Sequence, residues 1–190
     1  MCMNGFRFHD ITHDDMKNGT GLRVVLWVAG CSHHCLNCHN PQTWDSQGGI
    51  DFTLWEESEF FNWLSKPWIE GATFSGGDPL NPLNRDGIGE LAIKAKKLYP
   101  DKNIWVYTGY RLTIKDGNFT FINKKGEGFT LPWLDRIDII VDGRFNTRVR
   151  EKDIAANKPA HWRGSSNQRI IDVRASLAAK KIIERKDLYE

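Results

Sequence analysis

No stretch of this 190-residue chain is apolar for long enough to cross a bilayer; the most apolar early run, Val24 to Gly30 (VVLWVAG), falls far short of a membrane helix. The opening MCMNGFRFHDITHDD has no apolar signal-peptide core, so the expected location is the cytoplasm. Charge of one sign is also scarce. The 26 Lys and Arg against 24 Asp and Glu leave +2, which gives no electrostatic case for a nucleic-acid or membrane partner. Cysteine is sparse, four in all, and three of the four are crowded into one segment, which excludes a spread disulfide framework. Neither a low-complexity tract nor a long-period repeat nor a linker divides the chain, so residues 1–190 are expected to form a single domain. What is present suffices for a packed core: 40% hydrophobic and 12% aromatic residues exclude a largely disordered chain.

Strand and helix patterns alternate. LRVVLWVA (Leu22 to Ala29) is a near-continuous apolar run with β-branched residues, as a buried parallel strand requires. LWEESEFFNWLSK sets Leu54, Trp55, Phe60, Phe61 and Leu64 on one helical stripe, with Pro67 limiting extension. GATFSGG, NIWVYTG, IDIIVDG and QRIIDV read as further strands, IGELAIKAKKLYP as a helix ending at Pro100, and the tail RASLAAKKIIERK as a charged helix. The alternation predicts an α/β fold with a mainly parallel sheet, whose ligands bind beyond the carboxyl ends of the strands. With 190 residues, the chain is too short for a closed eight-unit barrel and predicts a shortened, incomplete (β/α) barrel. Residues 112–132 alternate apolar and polar around Asp116-Gly117, the pattern of an inserted β-hairpin.

The cysteines lie in AGCSHHCLNCHNPQTW, residues 29–44, as Cys31, Cys35 and Cys38. Thiolates are soft ligands that select zinc or iron–sulfur. A structural zinc site wants four protein ligands, and His33, His34 or His39 could complete it, giving a zinc-stapled interaction module without catalysis. An iron–sulfur cluster held by only three cysteines would instead leave one iron open to an exogenous ligand, as a catalytic metal needs. Cys2 stands apart, a frayed terminal thiol or a remote ligand.

The CxxxCxxC spacing at the end of the first core strand resembles the cluster motif of radical S-adenosylmethionine enzymes, and SGGDPL (Ser75 to Leu80) resembles their GGE/DP element. GCSHHCLNCHNPQTW, SGGDPL, WVYTGY, VDGRF and WRGSSNQRIIDV, in this order from roughly Phe8 to Val173, are similar to the branch that activates anaerobic ribonucleotide reductase. The resemblance implies a [4Fe-4S] cluster on Cys31, Cys35 and Cys38 whose open iron chelates S-adenosylmethionine. Reductive cleavage would give a 5′-deoxyadenosyl radical that takes hydrogen from a glycine of the reductase large subunit. A flavodoxin-like protein is the implied electron donor, and an activase of a pyruvate formate-lyase-like enzyme is the rival within the class.

The resemblance implies cofactor contacts from Ser75, Gly76, Gly77 and Asp78; at Gly76 and Gly77 the missing Cβ lets backbone approach the ligand, and Asp78 would fix the loop or the ammonium charge. Further contacts are expected from Thr108 and Gly109 in YTGY, and from Asp142 and Arg144, which an extended backbone would project to one side. Each of these stretches also reads as an ordinary turn or a surface ion pair. Asn37 stands where the superfamily often has an aromatic against adenine, leaving His39 or a backbone group to cover it. Trp162 to Arg169 would wall the cofactor or partner site, with Asn167 and Gln168 as amide partners.

Overall fold

The computed structural model describes residues 5–189, so Cys2 lies outside the described residues. Leu22–Val28 forms β2, buried on both faces as its apolar run requires. It pairs in parallel with β4 (Ile69–Gly76), which pairs in parallel with β5 (Asn103–Thr108), and β5 with β9 (Ile139–Asp142). These four strands form the parallel centre of a seven-stranded sheet of order β10-β9-β5-β4-β2-β1-β3. The flanking strands β1 (Arg7–Asp15), β3 (Ile50–Asp51) and β10 (Arg169–Asp172) are antiparallel to their neighbours.

Helix α1 (Leu54–Leu64) opens on a capping box in which Thr53 and Glu56 satisfy each other's backbone donors. Phe60 and Leu64 are fully buried and pack with Val24, Leu26 and Phe74. Each contributes roughly 1.5–3 kcal/mol of apolar burial. Leu54 and Trp55, expected on the same stripe, are 60% and 69% exposed because they occupy the first turn, beyond the sheet. Helix α2 (Arg85–Leu98) covers the same face through Ile88 and Leu91. On the opposite face Trp105, Ile139, Val141 and Ile170 form a smaller cluster.

Residues 111–129 build a second, three-stranded antiparallel sheet of β6 (Arg111–Lys115), β7 (Asn118–Ile122) and β8 (Gly128–Phe129). Asp116 and Gly117, at φ +51° and +77°, supply the two positive angles that a two-residue hairpin turn demands. Phe121 and Leu112 carry this sheet into the main core.

After α3 (Thr147–Ala155), helix α4 (Val173–Ala179) is shorter than the tail pattern predicts. Lys180 takes φ +51° and ends it, and the chain returns along β10 through Asp172 N to Ile183 O and Arg185 N to Ile170 O. The tail thus covers an exposed sheet edge instead of extending a helix.

Candidate functional site

The cysteine loop leaves β2 through Gly30 at φ +94°. Gly30 N donates to Thr43 O and Cys31 N to Trp44 O, at 2.8 and 3.0 Å, closing the loop on itself. His34 and Asn37 both take positive φ, +46° and +54°. Asn tolerates that region better than a bulky aromatic, which gives Asn37 a backbone reason for its place. Cys31, Cys35 and Cys38 are free thiols and line one cavity of about 450 Å³ at the carboxyl ends of the parallel strands.

The SGGDPL turn forms the adjacent wall. Gly77 N donates to Val28 O and Asp78 N to Gly30 O, both at 2.8 Å. A Cβ on Gly77 would fall 2.5 Å from Gly30 O and 2.9 Å from Thr43 O. The bare glycine therefore serves the contact between two loops while its backbone also lines the cavity.

Asp78 is the centre of this wall. Its carboxylate is 1% exposed and accepts from Leu80 N at 2.8 Å, Gly109 N at 2.9 Å and the Thr108 hydroxyl at 2.9 and 3.0 Å. His33 Nε2 lies 2.8 Å from it. One residue thus ties the glycine turn and the exit of β5 through its carboxylate and the cysteine loop through its backbone N–H to Gly30 O. Asn84 adds a second tie, donating to Ala29 O at 2.8 Å and Asp78 O at 2.9 Å.

The cavity gathers the three cysteines, His39, Ser75, Gly76, Gly77, Asp78, Thr108 and Gly109. It does not gather Asp142 and Arg144. Gly143 at φ +98° breaks the extended backbone that would have aimed them together. Asp142 is fully buried, pairs with Arg169 through two oxygens at 3.0 and 2.5 Å, and accepts from Leu112 N at 2.8 Å. Arg144 turns to His33 O at 2.5 Å and braces the cysteine loop from outside. Gln168 lines the cavity, but its amide is engaged by Gly164 N and Gly143 O. Asn167 donates to Arg144 O at 2.9 Å.

Sequence reasoning passed over Phe145, whose ring sits 5.4 Å from that of His39, both lining the cavity. Its position inside VDGRF was the available signal. His33, a candidate fourth zinc ligand in the sequence, is 8% exposed and packs edge-on to Tyr110 at 4.7 Å. No local pattern distinguishes it from His34, which packs on Trp44 at 4.8 Å.

Burial and the nearby Asp78 carboxylate push the Cys31 thiol up to about 12. A thiolate there needs a compensating cation, which the irons of a cluster would provide. Among the described residues no three His, Cys, Asp or Glu side chains converge on a point suited to a single ion. The soft donor set at one end of a cavity with polar backbone walls fits a cluster with a ligand beside it.

The chain matches the 4Fe-4S single cluster domain family over residues 17–171. The anaerobic ribonucleoside-triphosphate reductase-activating protein of Enterobacteria phage T4 is 40% identical over 156 residues, 82% of this chain and 87% of the relative. The protein of the same name from Haemophilus influenzae is 38% identical over 81% of this chain and 90% of its own. That of Escherichia coli K12 is 34% identical over 85% and 95%. Among solved structures, QueE from Escherichia coli aligns with a TM-score of 0.40 at 16% identity, over 80% of this chain and 75% of that one.

Proposed function

The chain belongs to the family of anaerobic ribonucleoside-triphosphate reductase-activating proteins and carries its 4Fe-4S single cluster domain, and from that premise we propose that it activates an anaerobic ribonucleotide reductase as a radical S-adenosylmethionine oxidoreductase. The observation that carries the reading is the meeting of three free thiols with the SGGDPL and YTGY turns around one cavity. Cys31, Cys35 and Cys38 would hold a [4Fe-4S] cluster, with S-adenosylmethionine beside it in the same cavity. Together they would supply the one-electron reductive cleavage that turns S-adenosylmethionine into a hydrogen-abstracting agent toward a glycine Cα of the reductase.

The protein's part is placement. Backbone of Ser75, Gly76 and Gly77 would receive the methionine ammonium, Thr108 and Gly109 would meet the ribose or methionine, and His39 with Phe145 would cover the adenine. Asp78 keeps these walls in register through the donors it already binds. Asp142 and Arg144 act one step removed, bracing β9 and the cysteine loop. The electron comes from a flavodoxin-like donor. A cytoplasmic setting agrees with this chemistry, and among the described residues no helix is long and apolar enough to cross a membrane.

Anaerobic reconstitution tests the reading. One [4Fe-4S] cluster per chain is expected, lost on Cys31→Ala, Cys35→Ala or Cys38→Ala and retained on Cys2→Ala. Reduced protein, S-adenosylmethionine and reductase should yield 5′-deoxyadenosine and a glycyl doublet in electron paramagnetic resonance, abolished by a glycine-to-alanine change in the partner. Stoichiometric zinc without acid-labile sulfide would replace the reading with a zinc-stapled module. A radical on a pyruvate formate-lyase-like partner but none on the reductase would keep the chemistry and change the partner.

A further inference from the structure

A second concavity, of about 640 Å³, lies on the outer side of the cysteine loop. Its charged lining is of one sign: Arg111, Lys124, Arg144 and Arg148, with no Asp or Glu among the lining residues. The fully buried Asp142 lies 3.7 Å from Arg111, but its carboxylate is already paired with Arg169. Lys124 and Arg148 are exposed. A surface with a net charge of only +2 over the whole chain therefore concentrates four cations at one place.

That place is next to the thiols. Cys35 lines both this groove and the first cavity, and Leu36, 74% exposed, forms its lip. Two groove residues grip the cysteine loop directly: Arg144 donates to His33 O at 2.5 Å and the Thr147 hydroxyl to Leu36 O at 2.6 Å.

The function proposed above, on which this inference rests, consumes one electron for each S-adenosylmethionine cleaved. The described cysteines are all in the one loop, so the chain offers no second thiolate-bound redox centre among the described residues, and the electron must arrive from another molecule. The first cavity must admit both the cofactor and the partner's glycine. A donor therefore needs a different approach to the thiols, and the groove at Cys35 provides it. We propose that this basic groove is the docking surface of an acidic, one-electron-carrying protein, which meets the cluster through the Cys35–Leu36 segment. The transfer oxidises the carrier by one electron and reduces the cluster by one, with no bond made or broken. Charge complementarity suits such an encounter, because transient redox contacts are small and depend on electrostatic steering more than on buried area.

The test uses the reconstituted full chain and a flavodoxin as the acidic probe. Calorimetry with the oxidised flavodoxin should show binding to the wild type that weakens as salt rises. The double variant Lys124→Glu/Arg148→Glu should weaken it on the order of tenfold or more, with Lys124→Ala/Arg148→Ala intermediate. Cluster reduction by flavodoxin hydroquinone, followed by absorbance, should slow in parallel, whereas dithionite should reduce variant and wild type alike and support equal reductase activation. Both positions are exposed, so unchanged thermal melting is expected as the folding control. Flavodoxin binding and reduction rates unchanged in the double variant would overturn the proposal. So would a loss of dithionite-driven reductase activation with flavodoxin binding intact, which would give the groove to the reductase. Salt-dependent flavodoxin binding that the variants weaken, in a protein unable to cleave S-adenosylmethionine, would support the docking surface and overturn the function proposed above.

Discussion

Two aspartates near the candidate site look alike in sequence and differ in what their removal should do. Asp78 and Asp142 are both almost fully buried, and both accept several hydrogen bonds. Asp142 serves the packing of β9, β10 and β6: its loss leaves the Arg169 guanidinium, whose side chain is 17% exposed, without its carboxylate. Breaking such a pair from one side costs about 3–5 kcal/mol, because an uncompensated charge remains. Asp78 instead joins the three loops around the cavity, and Asp78→Ala strands the buried Thr108 hydroxyl with two backbone N–H groups, each at about 1–3 kcal/mol. Asp142→Ala should therefore lower the denaturant midpoint while the folded fraction still loads iron and sulfide to the wild-type ratio. Asp78→Ala should lower both midpoint and iron content, with Asp78→Asn intermediate because it keeps an acceptor. Cluster loss in Asp142→Ala at full native signal would show that this carboxylate reaches the site after all.

At the level of strands and turns, the walls of the cavity are held by close contacts between loops, so glycine substitutions should act on the cysteine loop. A Cβ on Gly109 would fall 2.3 Å from Cδ2 of the His33 ring, and one on Gly77 would press on the Gly30 and Thr43 carbonyls. The neighbours differ in kind. A side chain can be removed, whereas backbone cannot, so Gly109→Ala should be partly rescued by His33→Ala, with a coupling energy of about 0.5–3 kcal/mol in a thermal or denaturant double-mutant cycle. Gly77→Ala should find no such suppressor and should reduce cluster content. Additive effects of Gly109→Ala and His33→Ala would refute the packing argument.

The same distinction separates what the sequence made legible from what it hid. β2 and β9 could be read because strands buried on both faces are continuous apolar runs. β1, RFHDITHDD, has a single buried residue, Phe8, pairs at the antiparallel side of the sheet and shifts register twice, so its pattern is weak. The early stop of α4 depends on one residue, Lys180, in a left-handed conformation that composition does not announce. The reading of each stretch as the end of a strand in one parallel sheet, with the family resemblance, was enough to bring the cysteines, Ser75–Asp78 and Thr108–Gly109 together. The pairing of Asp142 with Arg169 spans 27 positions and could be found only once β9 and β10 were paired.

Across the whole molecule, the sheet runs in a linear order from β10 to β3, with helices α1 and α2 over one face and only a small apolar cluster on the other. The cavity at the strand ends has about 450 Å³, within the range of a site for one cofactor-sized ligand. On the function proposed above, little volume would be left for a separate small substrate to be enclosed beside S-adenosylmethionine. The hydrogen donor must then be brought in and held by something outside the chain, and a loop presented by a folded partner arrives with its orientation already fixed. A free peptide must lose that freedom on binding, and well-oriented delivery is worth effective molarities of about 10⁵ M or more in favourable cases. A glycine-containing peptide copied from the reductase, supplied at millimolar concentration, should therefore exchange deuterium into 5′-deoxyadenosine at least on the order of a hundredfold less efficiently than the intact reductase at micromolar concentration. The measurement is mass spectrometry of 5′-deoxyadenosine formed from a glycine-deuterated peptide or a glycine-deuterated reductase. Comparable deuterium transfer from the two would mean that this cavity orients the glycine by itself, and the walls described here would have to include a peptide-binding surface that acts without the rest of the partner.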